Sequence, residues 1–295
     1  MKHTDAAADV SPTRRKLIIG AAIGVVGGIG ASHSADSAPF AALESRYGGR
    51  LGLLALDTGS GRTLEHRADE RFLMCSTFKG LLAAHVLARV DAGAESFGRE
   101  VAFSRVDLVS PSPVTELHVS RGALPVETLC QAMVETSDNT AANLLMKSSG
   151  GPDGLTRFLR SIGDEVTRVD RFELAANTPK GNLDTTTPRA IVASARSILL
   201  GDVLIAGSRE KLESWMVNCK PGSQRLRAAL PARWRVGNRP GTSVDRHTND
   251  YAIVRPPGRP ALMIAAYYDA PGLAMDVREA VLRKAGSAVV TWATS

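Results

Sequence analysis

Ser76-Thr77-Phe78-Lys79 and Ser137-Asp138-Asn139 carry the chain's most telling chemistry. They supply a serine, a lysine three residues on, and a second hydroxyl with an amide beside it. An enzyme that acylates itself on serine needs that set. At i and i+3 near a helix start, Ser76 and Lys79 share one face. Their neighbours Met74, Cys75, Phe78, Leu81 and Leu82 are apolar. There a lysine loses part of its preference for charge and can accept the serine's proton. The helix N-terminus offers N–H groups and positive potential to a developing oxyanion. Alone, Ser-x-x-Lys favours a plainer reading, an N-cap serine followed by a snorkelling lysine. Ser208-Arg209-Glu210-Lys211 repeats the pattern and reads as the polar face of an ordinary helix. Ser137 and Asn139 are also good caps. The pairing of the two motifs is what singles out Ser76.

The elements that must position these residues follow from periodicity and punctuation. Helices are expected at 40–47, 76–90, 125–136, 139–147, 153–162, 188–200, 208–217 and 276–292. Strands are expected at 50–57, 234–236, 251–255 and 261–268, with turns at Thr58-Gly59-Ser60-Gly61 and Pro256-Pro257-Gly258. The order of strand, helices, strands and helix implies an α+β fold. An antiparallel sheet flanked by helices is formed from both chain ends, with an inserted all-helical domain and the active site between them. The expected division is 38–73 with 218–295 for the α/β part and 74–217 for the helical part.

The 295 residues are 44% hydrophobic and 22% charged, an ordinary globular composition. The formal charge is +6, and removing the four basic and two acidic residues of the first 35 leaves +4. The other basic residues are scattered without aromatic interleaving, which argues against a nucleic-acid partner. The six histidines show no metal spacing; His66, His85, His118 and His247 are isolated. No metal or cofactor is expected. Cys75, Cys130 and Cys219 are too few for a disulfide framework and are expected as buried thiols. Arg14-Arg15-Lys16 before a mild apolar run to Ala31 resembles a twin-arginine signal over residues 1–37. That implies the twin-arginine export machinery as a transient partner and a periplasmic location. A monomer is the default.

As a set, these residues resemble the class A serine β-lactamases. Arg171-Phe172-Glu173-Leu174-Ala175-Ala176-Asn177 is similar to that family's active-site loop, and Asp184-Thr185-Thr186-Thr187-Pro188 to the segment that closes it. Pro113-Val114-Thr115-Glu116, Trp215-Met216 and Arg227-Ala228-Ala229-Leu230-Pro231 fit in order and spacing. The resemblance covers the chain from about Phe40 to its end. It implies hydrolysis of β-lactam antibiotics, hence resistance, in two steps. Ser76 attacks the ring carbonyl, with the N–H groups of Ser76 and Thr242 as oxyanion hole. The proton goes to Lys79 or, through water, to Glu173, and Ser137 protonates the departing nitrogen. Glu173 and Asn177 then activate the deacylating water, while Asn139 meets the substrate's side-chain amide. An Arg171–Asp184 ion pair is implied across the loop's neck.

Several positions depart from the family's pattern. Its Lys-Thr/Ser-Gly triplet appears as Arg239-Pro240-Gly241, so arginine meets the substrate carboxylate with a bidentate fork but cannot relay a proton. That residue leans toward carboxypenicillins. Pro240 is admissible if its nitrogen faces the substrate and not a neighbouring strand. Thr248 stands where an arginine often helps, and Arg225 falls where other members compensate, so Arg225 and Arg239 are expected to share the carboxylate. Pro111 replaces the aromatic gate residue, and the catalytic loop is shorter than usual. Ser243 and Ala83 stand where cysteine partners of Cys75 and Cys130 would be. A penicillin-binding DD-peptidase shares Ser76, Lys79 and Ser137 but lacks a carboxylate such as Glu173. A non-catalytic β-lactam or peptidoglycan-binding domain is the third reading, against which the intact Ser76, Lys79, Ser137 and Glu173 argue.

Overall fold

The computed structural model describes residues 37–295. Apart from Ser37, the signal-peptide expectation lies outside the described residues. In chain order the elements are α1 (Ala38–Tyr47), β1 (Arg50–Asp57), β2 (Thr63–His66), β3 (Phe72–Leu73), α2 (Phe78–Asp91), β4 (Glu100–Ala102) and β5 (Ala123–Pro125). Then come α3 (Val126–Thr136), α4 (Asn139–Ser148), α5 (Gly151–Ser161), β6 (Thr185–Thr186), α6 (Pro188–Leu200), α7 (Ala206–Val217) and α8 (Leu226–Ala229). β7 (Arg235–Thr242), β8 (His247–Arg255), β9 (Leu262–Asp269) and α9 (Met275–Thr294) close the chain.

Both chain ends build one antiparallel sheet in the order β2-β1-β9-β8-β7. The ends meet where β1 pairs with β9, from Arg50 opposite Asp269 to Asp57 opposite Leu262. Every residue of β9 is buried, and its side chains alternate between two cores as a period of two requires. Leu262, Ile264, Ala266 and Tyr268 join Phe40 of α1 and Val281, Leu282, Ala285 and Val289 of α9. Met263, Ala265 and Tyr267 join the helical side, with Leu81 and Leu82 of α2, Met133 of α3 and Leu145 of α4. α2 is buried from Phe78 through Leu87. A helix buried on every side belongs in the centre, and α2 runs there between the sheet and the other helices, with Lys79 and His85 as its buried polar members.

The structure alters several expected boundaries. Ser76 does not open the α-helix: Cys75–Thr77 form a 3₁₀ turn, and α2 begins at Phe78. The positive φ of 48° at Cys75 marks that sharp entry. β7 runs to Thr242 and β8 starts at His247, well beyond their expected ends. Gly237, Pro240 and Gly241 lower strand propensity there, yet pairing with β8 imposes the extended form from Arg235 to Thr242. β7 is the sheet's edge, where a proline costs no interior ladder bond. The short pairs β3–β6 and β4–β5 carry too few residues to show a period of two.

Cys75, Cys130 and Cys219 are free and buried, and burial pushes all three thiols up. His85 and His247 are also buried. Desolvation, the largest cause for each, pushes both imidazoles down to about 4. An unfolded histidine titrates near 6.5, so the folded chain takes up these protons later than the unfolded one. Stability from the two neutral rings is complete above about pH 6.5 and is lost as pH falls toward 4. Melting temperatures measured from about pH 7.5 to 4.5 should therefore decline less steeply for His85→Leu/His247→Leu than for the native chain. Equal slopes would refute this account.

Candidate active site

A cleft of about 520 Å³ opens along the edge of β7, and Ser76, Ser137, Asn139, Asn177, Arg239 and Thr242 line it. Three elements hold the turn that carries Ser76. Met74 N donates to Asp184 O at 2.9 Å, tying the turn to the base of the loop 171–184. Asn249 Nδ2 on β8 donates to Leu73 O (2.9 Å) and Met74 O (3.2 Å). Gly241 on β7 presses against the turn, and a Cβ there would lie 2.4 Å from Met74 O. Gly241 therefore brings the strand edge to the serine by close backbone approach and does not itself line the cleft. Gly80 does the same for β8, since a Cβ there would meet Tyr251 Oη at 2.0 Å.

Lys79 and Glu173 form a fully buried ion pair, with Nζ 3.0 Å from Oε1 and both side chains 0% exposed. Lys79 Nζ also donates to Ser137 O (2.9 Å), Ser137 Oγ (3.2 Å) and Asn139 Oδ1. Burial pushes its ammonium down to about 8; the neighbouring Glu173 opposes that shift and Arg239 adds to it. The Ser76 hydroxyl donates to Glu173 Oε1 at 3.2 Å, not to Lys79. Glu173 is held in turn by Asn177 Nδ2 on Oε2 (2.6 Å). Asn177 Oδ1 is buried and has no partner among the described residues. A buried acceptor in that state, beside a carboxylate, suits a water that can donate to both.

The second motif folds around a helix junction. Ser137 ends α3 in the left-handed region, at φ 63° and ψ 31°. Asp138 caps α4 through Ala141 N and also accepts from Val114 N, Thr115 N and Thr115 Oγ1. Asn139 Nδ2 donates to Ser110 O at 3.2 Å, which leaves one amide N–H for the cleft. Ser137 Oγ accepts from Lys79 and from Arg239 Nη2, the latter at 2.7 Å. With two cations on its lone pairs, that hydroxyl must turn its own proton elsewhere.

Both arginine expectations need correction. Arg239 is 0% exposed. Its Nε donates to Ser76 O (3.1 Å), Nη1 to Val134 O (2.8 Å) and Cys219 Sγ (3.5 Å), and Nη2 to Ser137 Oγ. The fork is spent on the protein, so what remains for a carboxylate is the charge and one N–H. Arg225 lies behind the strand, 3% exposed. It donates to Gly241 O (3.0 Å), Asn249 O (2.9 Å) and Thr242 Oγ1 (2.6 Å), and pairs with Glu279 at 3.1 Å. It cannot share a substrate carboxylate directly; it reaches the cleft only through the Thr242 hydroxyl.

Arg171 Nε stands 2.6 Å from Asp184 Oδ2, and Asp184 Oδ1 takes the N–H groups of Asp170 and Arg171. The loop between them thus closes on its own neck. Sequence reasoning missed Asn143, whose side chain accepts from Glu173 N (3.0 Å) and donates to Glu173 O (2.9 Å). The available signal was an asparagine four residues after Asn139, on the same face of α4. It also gave no role to Asp138 or Asn249, which look like ordinary polar positions until the turn they brace is folded.

The sequence model of the β-lactamase enzyme family matches residues 37–293. A carbapenem-hydrolysing β-lactamase KPC from Klebsiella oxytoca is 45% identical over 250 residues, 84% of this chain and 85% of that protein. The β-lactamase AST-1 from Nocardia asteroides is 47% identical, over 77% of this chain and 73% of the relative. Among solved structures, a β-lactamase from Burkholderia vietnamiensis superposes with a TM-score of 0.88 at 63% identity, covering 89% of this chain and 98% of that one. An ancestral class A β-lactamase superposes at 0.84 with 51% identity, covering 87% and 99%.

Because Arg225 acts through Thr242, its loss should weaken the hold on a carboxylate-bearing substrate without removing the reacting groups. Arg225→Ala should raise KM about ten-fold, near the 1.5 kcal/mol of one charge-assisted hydrogen bond, and change kcat less. In steady-state kinetics Thr242→Val should show the same KM effect, and the double variant no more than either alone. Additive effects would separate the two residues.

Proposed function

The chain belongs to the class A β-lactamases and hydrolyses β-lactam antibiotics, and we propose that it does so through an acyl-enzyme on Ser76. The Ser76 hydroxyl gives its proton to Glu173 Oε1, 3.2 Å away, as its oxygen bonds to the ring carbonyl carbon. The N–H groups of Ser76 and Thr242 receive the developing oxyanion. When the ring C–N bond breaks, Ser137 protonates the leaving nitrogen. Lys79 Nζ, 3.2 Å from Ser137 Oγ and 3.0 Å from Glu173 Oε1, restores that proton from the carboxyl. Glu173 is then an anion again. A water bound between it and Asn177 Oδ1 gives a proton to Glu173 and attacks the ester carbonyl; as the ester C–O bond breaks, Glu173 returns that proton to Ser76 Oγ, 3.2 Å away, releasing penicilloate and free Ser76.

Arg239 contributes its charge at the carboxylate end and positions Ser137. Asn139 supplies its remaining amide proton to the substrate's side-chain carbonyl. The observation that carries this reading is the carboxylate of Glu173, in contact with Ser76 Oγ, Lys79 and Asn177 at once. A DD-peptidase has no such group, and its penicilloyl ester persists.

The decisive experiment follows nitrocefin turnover and then records intact mass. The native enzyme should turn over freely. In Glu173→Gln, Lys79 loses the carboxylate that holds its ammonium up and can take the Ser76 proton in its place, so an adduct should form and accumulate on Ser76, with hydrolysis slowed by at least about 100-fold, the low end for general-base catalysis. Undiminished turnover of benzylpenicillin by Glu173→Gln would overturn the mechanism.

For location we propose the periplasm, reached as a folded protein through the twin-arginine route. Support comes from the Arg14-Arg15 pair ahead of a weakly apolar stretch. Replacing both arginines by lysine should leave the enzyme in the cytoplasmic fraction and abolish ampicillin resistance. Normal export of that variant would rule this route out.

A further inference from the structure

The mechanism leaves one buried charge of the cleft wall without a role. Asp250 of β8 is 0% exposed. It shares a strand face with Ala252 and Val254, which pack on the α9 side of the sheet. A carboxylate can accept about four hydrogen bonds. Among the described residues the Asp250 side chain receives them from the Asn238 amide alone, at 3.0 Å on Oδ1 and 3.2 Å on Oδ2. Pro240, opposite Asp250 on β7, has no donor to add. Asn238 Oδ1 meanwhile accepts from Arg227 Nε (3.0 Å) and Nη2 (2.6 Å). Burial pushes the Asp250 carboxyl up to about 7, against the Asn238 hydrogen bond and the charges of Arg225, Arg227 and Arg239.

Two of those arginines serve the end of the cleft where the mechanism puts the ring carboxylate. Arg239 lines it, and Arg225 reaches it through Thr242 Oγ1 at 2.6 Å. The cluster holds more positive than negative charge. Among the described residues Arg227, Arg239 and Arg278 form no ion pair, and Arg225 has Glu279 at 3.1 Å. The other titratable groups that feel Asp250, Cys219, Tyr251 and Tyr267, are kept neutral by burial. Asp250 is therefore the anion that offsets Arg239 in the free enzyme, and a substrate carboxylate brings a second. We propose that the two compete for the same arginines, so that Asp250, ionised in the free enzyme at mildly alkaline pH, takes a proton from solvent when a β-lactam binds. Asp250 touches no substrate and is a positioning residue, acting through Arg239 and Arg225. With Asp250 neutral the arginines hold the carboxylate most strongly; as pH rises and Asp250 ionises, the hold weakens. The proposal rests on the β-lactamase reading and adds a proton to its binding step.

Benzylpenicillin and its methyl ester differ in that one carboxylate and share every reacting group. The ratio of their kcat/KM values therefore sets aside the proton transfers of catalysis common to both. If the bound carboxylate makes Asp250 about ten-fold weaker as an acid, the native ratio should fall about eight-fold between about pH 6 and pH 9. Asp250→Asn mimics the protonated acid and should abolish the fall, improving KM for benzylpenicillin at the alkaline end more than kcat. A fall that came from the charge on Lys79 would persist in that variant. Asn238→Ala removes the acid's one donor and should move the decline to higher pH. A native ratio level with pH, or an equal fall in Asp250→Asn, would overturn the proposal. Should Asp250→Asn not fold, a decline left in place by Asn238→Ala would do the same. Failure of the native enzyme to hydrolyse either compound would instead remove the β-lactamase reading.

Discussion

The site depends on one ion pair withdrawn from water, the ammonium of Lys79 against the carboxylate of Glu173. Neither ion could stay charged alone where it sits, because taking a charge out of water costs several kcal/mol. Each tolerates burial through the other and through a shell of polar groups. Lys79 has Ser137 O, Ser137 Oγ and Asn139, while Glu173 has Ser76 Oγ and Asn177. The members of that shell are the groups to which the proposed mechanism gives the substrate and its water. In that mechanism, the interactions that make the buried charges bearable also set nucleophile, proton donor and water position.

The pair joins two parts of the chain that have no local reason to meet. Lys79 rides on the buried helix α2, whereas Glu173 sits in a loop with little regular structure. Asn143 grips the backbone of Glu173 on both sides. The Asp184 carboxylate gathers the loop's neck, and its carbonyl receives Met74 N beside the serine turn. A single residue thereby sets loop and nucleophile against each other.

From the other side comes the sheet edge. Because β9 is buried on both faces, its neighbours are fixed between two cores, and β7 has little freedom to retreat. Gly241 and Gly80 remove the side chains that would hold the strands off. Arg239 then reaches across from β7 to Ser76 O, Val134 O and Ser137 Oγ. Lysine could not replace that planar reach with its single point of charge. The arginine ties the three walls of the cleft together at the expense of a free fork for substrate.

By itself the sequence determined the kind of chemistry and most of the scaffold. Ser76, Lys79 and Ser137 stood out by type and spacing, Glu173 by the resemblance of its loop to that of the class A family, and the helices and the strand 50–57 because their periods are local. Tertiary structure alone decided how Arg225 and Arg239 are used. An arginine's partners are whatever carbonyls and hydroxyls distant strands bring within reach, and no spacing along the chain encodes them. The same holds for the length of β7, which its pairing with β8 imposes on a poor strand sequence. It holds again for Asn143, Asp138 and Asn249, whose importance appears only when a loop needs something to lean on.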